Sequence, residues 1–389
     1  MSKTLVNIIT EDNPIPAYLF IKEKYEHRDR LMYISAKDTE DDLEALSELF
    51  VVPEEQIEEI VLKNDIDELA YEKICRSLYG HLNHNTNYFV NLAGGTRYMA
   101  LAVQQVFERF NTEFFYVQVE ENLIVKSKFD NNIFNNDDLF YPIRHRMMIA
   151  EYLRAHEMQH DLSRGTHTPI RPEALAANIL KLFVNNQLSG DDHKVMELLR
   201  NHYRNRNCIE IIDVEEIGGI TTPPVHGLTD FLDYIGFVPA RSGYLNQDEI
   251  EYLTGGWFEE YVYYLIKKKI KPQDIALNVT ISRRGINHTN ELDVVFTKGN
   301  KLFVIECKTG LKENHIFNET VYKLCAISEA LLGVSCYSYL VSLKKDQNGM
   351  LQRIAENMGI TFLDRDVLTT SRELLLALKG MDIQAHESQ

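Results

Sequence analysis

Short apolar runs alternate with amphipathic stretches through the first third of the chain. Residues 5–10 form an apolar run that ends at a polar loop, residues 11–13. Pro14 and Pro16 lead into a helical stretch over 17–27. Residues 31–35 read as a second strand, 38–50 as a second helix, 57–62 as a third strand and 66–79 as a third helix. An apolar strand over 88–92 breaks at Ala93-Gly94-Gly95-Thr96; a helix follows to about Phe110, then a strand over 114–119. Strands that alternate with helices predict a parallel sheet covered on both faces, a Rossmann-like, doubly wound α/β arrangement.

The pattern changes at about residue 142. Residues 147–156, 173–183 and 191–203 have helical spacing, and 218–227, with Gly218-Gly219 and Pro223-Pro224, reads as a connection. From about Leu253 the order becomes long helix, three strands, helix, strand. A chain of 389 residues exceeds one ordinary domain. The pattern divides it into an α/β unit (1–141), a mostly helical linker (142–250) and a second α/β unit (251–389). No apolar run reaches the roughly 18 residues a spanning helix needs, so no membrane partner is expected. The N-terminus has no signal-peptide pattern, and the five cysteines form no CxxC pair. Both features predict a reducing, cytoplasmic setting.

A net charge of −17 argues against a protein that coats nucleic acid non-specifically, because such binding rests on cations facing phosphates. A nuclease needs only a local basic surface. Lys267, Lys268, Lys269, Lys271, Arg283 and Arg284 are candidates, with a solvated face as the plainer reading.

The strongest chemical signal is ELDVVFTKGNKLFVIECK, residues 291–308. Two β-type runs flank Gly299-Asn300, a two-residue hairpin turn. That turn sets Asp293 opposite Glu306 and Glu291 opposite Lys308, all four on one face. Leu292, Val294, Phe296, Phe303, Ile305 and Cys307 then form the apolar back. Two facing carboxylates repel unless a cation lies between them, and carboxylate oxygens suit Mg²⁺ or Mn²⁺. Lys308 shares their face, and the Cys307 backbone carbonyl adds a further metal-directed oxygen. The plainer alternative is an edge ribbon with a surface ion pair.

Ala93-Gly94-Gly95-Thr96-Arg97 follows a strand and opens a helix, the place where an α/β sheet takes ligands. The glycines are read as letting a phosphate approach the backbone, with Thr96 as N-cap. A tight turn with a threonine cap is the alternative. The loop is neither GxGxxG nor GxxxxGK[ST].

Asp293 followed by Glu306-x-Lys308 resembles the PD-(D/E)xK restriction-endonuclease-like superfamily. There an upstream helix often supplies another carboxylate. In GGWFEEYVY that is Glu259, with Glu260 as a solvated neighbour. Lys323, beside Tyr322 on the helix expected over 317–332, is a candidate basic group near the phosphate. VNIITEDNPIPA and NLAGGTRYMALA resemble the CARF (CRISPR-associated Rossmann fold) domain. A CARF domain fused to such a nuclease is the architecture of the cyclic-oligoadenylate-activated nucleases of type III CRISPR systems, to which residues 250–330 are most similar. No residue of the linker is matched. The resemblance implies a homodimer that binds cyclic tetra-adenylate, uses Mn²⁺ or Mg²⁺, and cuts DNA and RNA. Its catalytic set is Glu259, Asp293, Glu306 and Lys308. The metal falls to Asp293, Glu306, the Cys307 carbonyl and Glu259. The ligand contacts are Thr10, Glu11, Asn13, Ser35, Lys37, Gly94, Gly95, Thr96 and Arg97. The competing readings are a ring nuclease that degrades its own ligand and a non-catalytic sensor.

Overall fold

The computed structural model describes residues 2–9, 14–35, 46, 48–62, 71–127, 139–162, 167–204, 209–210, 227–283, 289–310, 314–328, 336–346 and 348–369. The first sheet comprises β1 (Thr4–Ile9), β2 (Arg30–Ser35), β3 (Ile57–Val61), β4 (Tyr88–Asn91), β5 (Thr112–Gln118), β6 (Leu123–Ser127) and β7 (Phe140–Pro142), in the order β3-β2-β1-β4-β5-β6-β7. The first five strands of that order run parallel; β6 and β7 return antiparallel. Each strand of the sequence reading is present, displaced by a residue or two. β1 is buried at every position, as a central parallel strand covered on both faces must be.

Helices Tyr71–Tyr79 and Arg97–Phe107 cover one face of this sheet. Helix Ile15–Lys24 covers the other. Its residues 15–21 are all buried, because helix Ile149–Ala155 and the second sheet close over it in one continuous core. The helix expected over 66–79 begins at Tyr71 among the described residues. Most of the helix expected over 38–50 lies outside them.

The second sheet takes its edge strand from the middle of the chain. β8 (Met158–His160) pairs antiparallel with β11 (Asp274–Arg283), followed by β12 (Thr289–Lys298), β13 (Lys301–Lys308), β14 (Cys336–Ser342) and β15 (Ile360–Leu363). β11, β12 and β13 are antiparallel; β13, β14 and β15 are parallel. Helix Trp257–Lys269 packs on one face, helices Asn314–Ile327 and Met350–Asn357 on the other. A short pair, β9 (Ile209–Glu210) and β10 (Tyr244–Leu245), and helices Glu173–Val184, Gly190–Arg204 and Leu228–Ile235 lie between β8 and β11 in sequence. These three helices pack on the core around Trp257, whose ring stacks on Phe183 at 5.2 Å.

The β12–β13 turn joins the two halves. Gly299 and Asn300 both have φ of 61°, as a two-residue hairpin of this hand requires. The buried Asn300 side chain accepts from Met147 N at 2.9 Å. It donates to Asn122 Oδ1 at 3.0 Å and to the His145 carbonyl at 3.1 Å.

Candidate functional site

The register of the hairpin, Val294↔Ile305 through Lys298↔Lys301, is the one the turn predicts. It ends before the acidic residues. On the other side of β12, Leu277 pairs with Val294 and Val279 with Leu292, and the intervening Asn278 has a left-handed φ of 51°. This kink reverses the alternation of faces. Val294 buries in the core with Trp257, whereas Leu292 buries in the opposite core. The expectation that Leu292 shares the face of Val294 is therefore corrected. A left-handed residue adds a local break that a period of two cannot anticipate.

The break frees Asp293 to turn its carboxylate inward. Asp293 Oδ2 accepts from Cys307 N at 2.7 Å, and Lys308 Nζ lies 3.9 Å from the same oxygen. Lys308 Nζ is 2.7 Å from Glu306 Oε1. Lys323, from helix Asn314–Ile327, reaches across to Glu306 Oε2 at 3.2 Å and to the Glu291 carbonyl at 3.2 Å. Glu306 is 3% exposed and Asp293 9%, so both carboxylates sit in a low-dielectric setting. Glu291 is exposed, and its backbone carbonyl accepts from Lys323. Tyr322 points to solvent.

Glu259 arrives from helix Trp257–Lys269. That helix is preceded by a turn of π-helix, Tyr252–Gly256, which continues from helix Gln247–Glu251. Such turns recur at functional sites because the widened backbone re-aims side chains. Burial, then Asp293, then Glu291 and Glu251 push the Glu259 carboxyl up to about 8, against the pull of Lys308. Burial and Glu306 push Asp293 up to about 7, opposed by Lys308 and the Cys307 N–H. Burial alone would lower Lys308; Asp293 and Glu306 outweigh it and hold the ammonium above its ordinary value. Three carboxylates are thus gathered with too little positive charge.

Among the described residues no three Asp, Glu, His or Cys side chains form a ready metal shell, and Glu306 faces two lysines instead. Glu260 is not a solvated neighbour. It is 6% exposed and accepts from Ile170 N at 2.7 Å, because the helix turns that face toward the linker segment. Of the basic candidates, Lys268 pairs with Glu173 at 2.6 Å, Lys267 lies over the Tyr263 ring, and Arg283 stands 4.0 Å from Glu157. Arg284 lies outside the described residues.

The second site is the topological switch between β1 and β4, neighbours in the sheet whose chains leave in opposite directions. The buried Asn91 at the end of β4 organises it. Its Nδ2 donates to Asn7 Oδ1 at 3.2 Å and to the Pro16 carbonyl at 3.3 Å, and its Oδ1 accepts from Ala93 N at 3.1 Å. One side chain thus ties together the segments that follow β1 and β4. Thr96 caps helix Arg97–Phe107, accepting from Met99 N at 3.2 Å.

The structure gives the glycines a packing role. A Cβ on Gly94 would lie 2.0 Å from the Ile8 carbonyl oxygen. One on Gly95, which has φ of +73°, would lie 2.4 Å from Ile8 Cγ2. The close approach they permit is to β1, a neighbour that strand order alone supplies. Arg97 is exposed at the helix start, and Ser35 is buried at the end of β2. Thr10, Glu11, Asn13 and Lys37 lie outside the described residues. The sequence reading missed Asn91, since an asparagine inside an apolar strand carries no motif.

Residues 4–152 match the sequence model of the Card1 CARF domain, and residues 246–380 match that of the Card1-like endonuclease domain. Among solved structures, protein VC1899 from Vibrio cholerae is similar over 99% of this chain and 99% of its own, with 19% identity and a TM-score of 0.74. Can2 from Sulfobacillus thermosulfidooxidans, solved in complex with cyclic tetra-adenylate, is similar over 97% of this chain and 99% of its own, with 20% identity and a TM-score of 0.67. At such identities the likeness shows a shared fold. No curated protein sequence matches the chain. With a CARF domain in the first sheet and an endonuclease domain in the second, the chain belongs to the Card1-like family of CARF-domain nucleases of type III CRISPR systems.

Proposed function

We propose that the chain is a metal-dependent endonuclease, switched on by a cyclic oligoadenylate, that cuts DNA and single-stranded RNA. The observation that carries this reading is the cluster of Asp293, Glu306 and Lys308, with Glu259 beside it and the carboxyls of Asp293 and Glu259 raised first by burial and then by neighbouring carboxylates. Such crowding is costly unless a cation relieves it, so the donor set fits a divalent ion with oxygen ligands. Asp293, Glu306, the Cys307 carbonyl and Glu259 would hold Mn²⁺ or Mg²⁺. The ion supplies Lewis-acid polarisation of the phosphate and a bound water of lowered pKa. Lys308 holds its proton throughout and stabilises charge developing on the phosphate. Lys323 neutralises Glu306 from the opposite side and keeps the carboxylate aimed at the cluster.

The activator site is assigned to the switch point between β1 and β4, where Arg97 offers a cation at a helix start. Cyclic tetra-adenylate is the ligand of Can2, whose fold this chain shares. A ring of four identical units fits a two-fold axis, so a homodimer is proposed. Tyr98 and Leu101, about half exposed beside the site on helix Arg97–Phe107, give that second copy an apolar face to cover. Among the described residues no helix is long and apolar enough to cross a membrane.

The test is cleavage of plasmid DNA and of a labelled RNA with Mn²⁺, with and without cyclic tetra-adenylate. Cutting only when both are present is expected. Cutting that ignores the ring leaves a constitutive nuclease, and none in any combination leaves a sensor.

A further inference from the structure

A cavity of about 330 Å³ opens beside the cluster, and one wall comes from outside the nuclease sheet. Glu259, Lys308 and Thr309 line one side, Glu251 and Gly255 the next, and Arg200 of helix Gly190–Arg204 the last. That helix belongs to the stretch between the two family-matched regions. It is not loosely placed. Val195, Met196 and Leu199 are buried in the same core as Trp257, Phe258 and Cys307. Arg200 follows Leu199 directly, so the packed stripe fixes where its side chain leaves the helix.

We infer that Arg200 binds a phosphate of the nucleic-acid strand being cut, making the middle helix part of the cleavage site. This rests on the nuclease reading and deepens it. The cavity also carries two acidic side chains, Glu251 and Glu259, so a phosphodiester there needs cations around it. Lys308 already stands 2.7 Å from Glu306. A strand entering here therefore gains from a second cation carried on a separate element. The walls leave room for a backbone: a Cβ on Gly310 would meet nothing within 4 Å, and one on Gly255 only Glu259 Oε1, at 4.0 Å. Arginine suits the task, since its planar fork donates two hydrogen bonds to phosphate oxygens and sheds water more readily than an ammonium.

The experiment uses the full chain carrying Lys308→Ala, so that substrate persists uncut, with Mn²⁺ and cyclic tetra-adenylate. Binding of a fluorescent oligonucleotide is measured across a salt series. Adding Arg200→Ala is expected to weaken binding by about ten- to a hundredfold. It should also lower the slope of log affinity against log salt by about one phosphate contact. Arg200→Lys should restore the slope and part of the affinity. In the otherwise wild-type enzyme, Arg200→Ala should raise KM more than it lowers kcat. Unchanged affinity and slope overturn the inference. A loss with an unchanged slope, a lowered melting temperature and no rescue by lysine also overturns it, since that is a packing role. If the wild-type enzyme cuts nothing and the Lys308→Ala chain binds nothing, the nuclease reading itself has failed.

Discussion

The glycine loop after β4 and the acidic hairpin of β12 and β13 look alike as motifs, yet the structure explains them in opposite ways. Gly94 and Gly95 are accounted for by packing: a side chain there would run into Ile8 of the neighbouring strand. Nothing in the fold accounts for Asp293, Glu306 and Glu259 in the same manner. For Asp293 and Glu259 burial disfavours the charged form, and Lys308 offsets that only in part. A residue that relieves a steric demand is structural by default. Residues that crowd like charges in a buried place point to something that binds there.

The largest effects should separate these two kinds of residue. Asp293→Asn should lower cleavage on the order of 10³-fold, since a charged metal-directed oxygen is lost. The melting temperature without metal should stay level or rise, because a repelling charge has gone. Glu306→Ala should also abolish cleavage, but it leaves two lysines without their partner and should cost stability. An Asp293→Asn enzyme that cuts at the wild-type rate would remove the hairpin from the chemistry.

Gly94→Val should do the reverse. With the Ile8 carbonyl 2.0 Å from the new Cβ, the strand or the loop must move, at a cost of about 3 kcal/mol or more. A full melting curve, not ligand binding alone, should report it. Unchanged stability would mean that the loop relaxes freely and that the glycines serve a ligand after all.

Arg97→Ala is the cleaner probe of the loop as a binding site. The side chain is exposed, so stability should move by less than about 0.5 kcal/mol. Affinity for cyclic tetra-adenylate should fall about tenfold or more, and activation with it, while ligand-free cutting stays as it was. Calorimetry with the intact ring decides the point; wild-type affinity would place the ligand elsewhere.

The acidic cluster also predicts a pH dependence. Both raised carboxyls bind protons more tightly folded than unfolded. Their destabilisation is complete above about 8 and is relieved as pH falls through about 8 and then about 7. Without metal, the melting temperature should rise by roughly a few degrees from alkaline to mildly acid buffer. Mn²⁺ should reverse the trend, because it binds the ionised forms and displaces protons. Asp293→Asn should flatten the metal-free profile. A metal-free protein that is steadiest at alkaline pH would contradict the crowding argument.

The smallest effect belongs to the cap. Thr96→Ala removes the acceptor for Met99 N and should cost about 1 kcal/mol of stability, with ligand affinity near wild type. A much larger loss of affinity would show that the hydroxyl contacts the ligand as well as the helix.

The sequence by itself determined the alternation of strands and helices in the first sheet, the hairpin register, and the grouping of Asp293, Glu306 and Lys308 on adjacent strands. These follow from local rules: apolar periodicity, the left-handed demand of Gly299-Asn300, and side-chain alternation over a few residues. Only the tertiary structure decided the rest. The Asn278 kink turns Asp293 toward Cys307 N, and no spacing within 291–308 encodes it, because its origin lies on the adjacent strand. Arg200 and Asn91 enter their sites from distant elements and acquire meaning from what packs beside them, and Lys323, already a candidate in the sequence, acquires Glu306 as its partner in the same way. The purpose of Gly94 depended on which strand lies next to β4, and that is β1, some 80 residues away. Local pattern fixes which way a side chain alternates; only the packing of remote segments fixes what it meets.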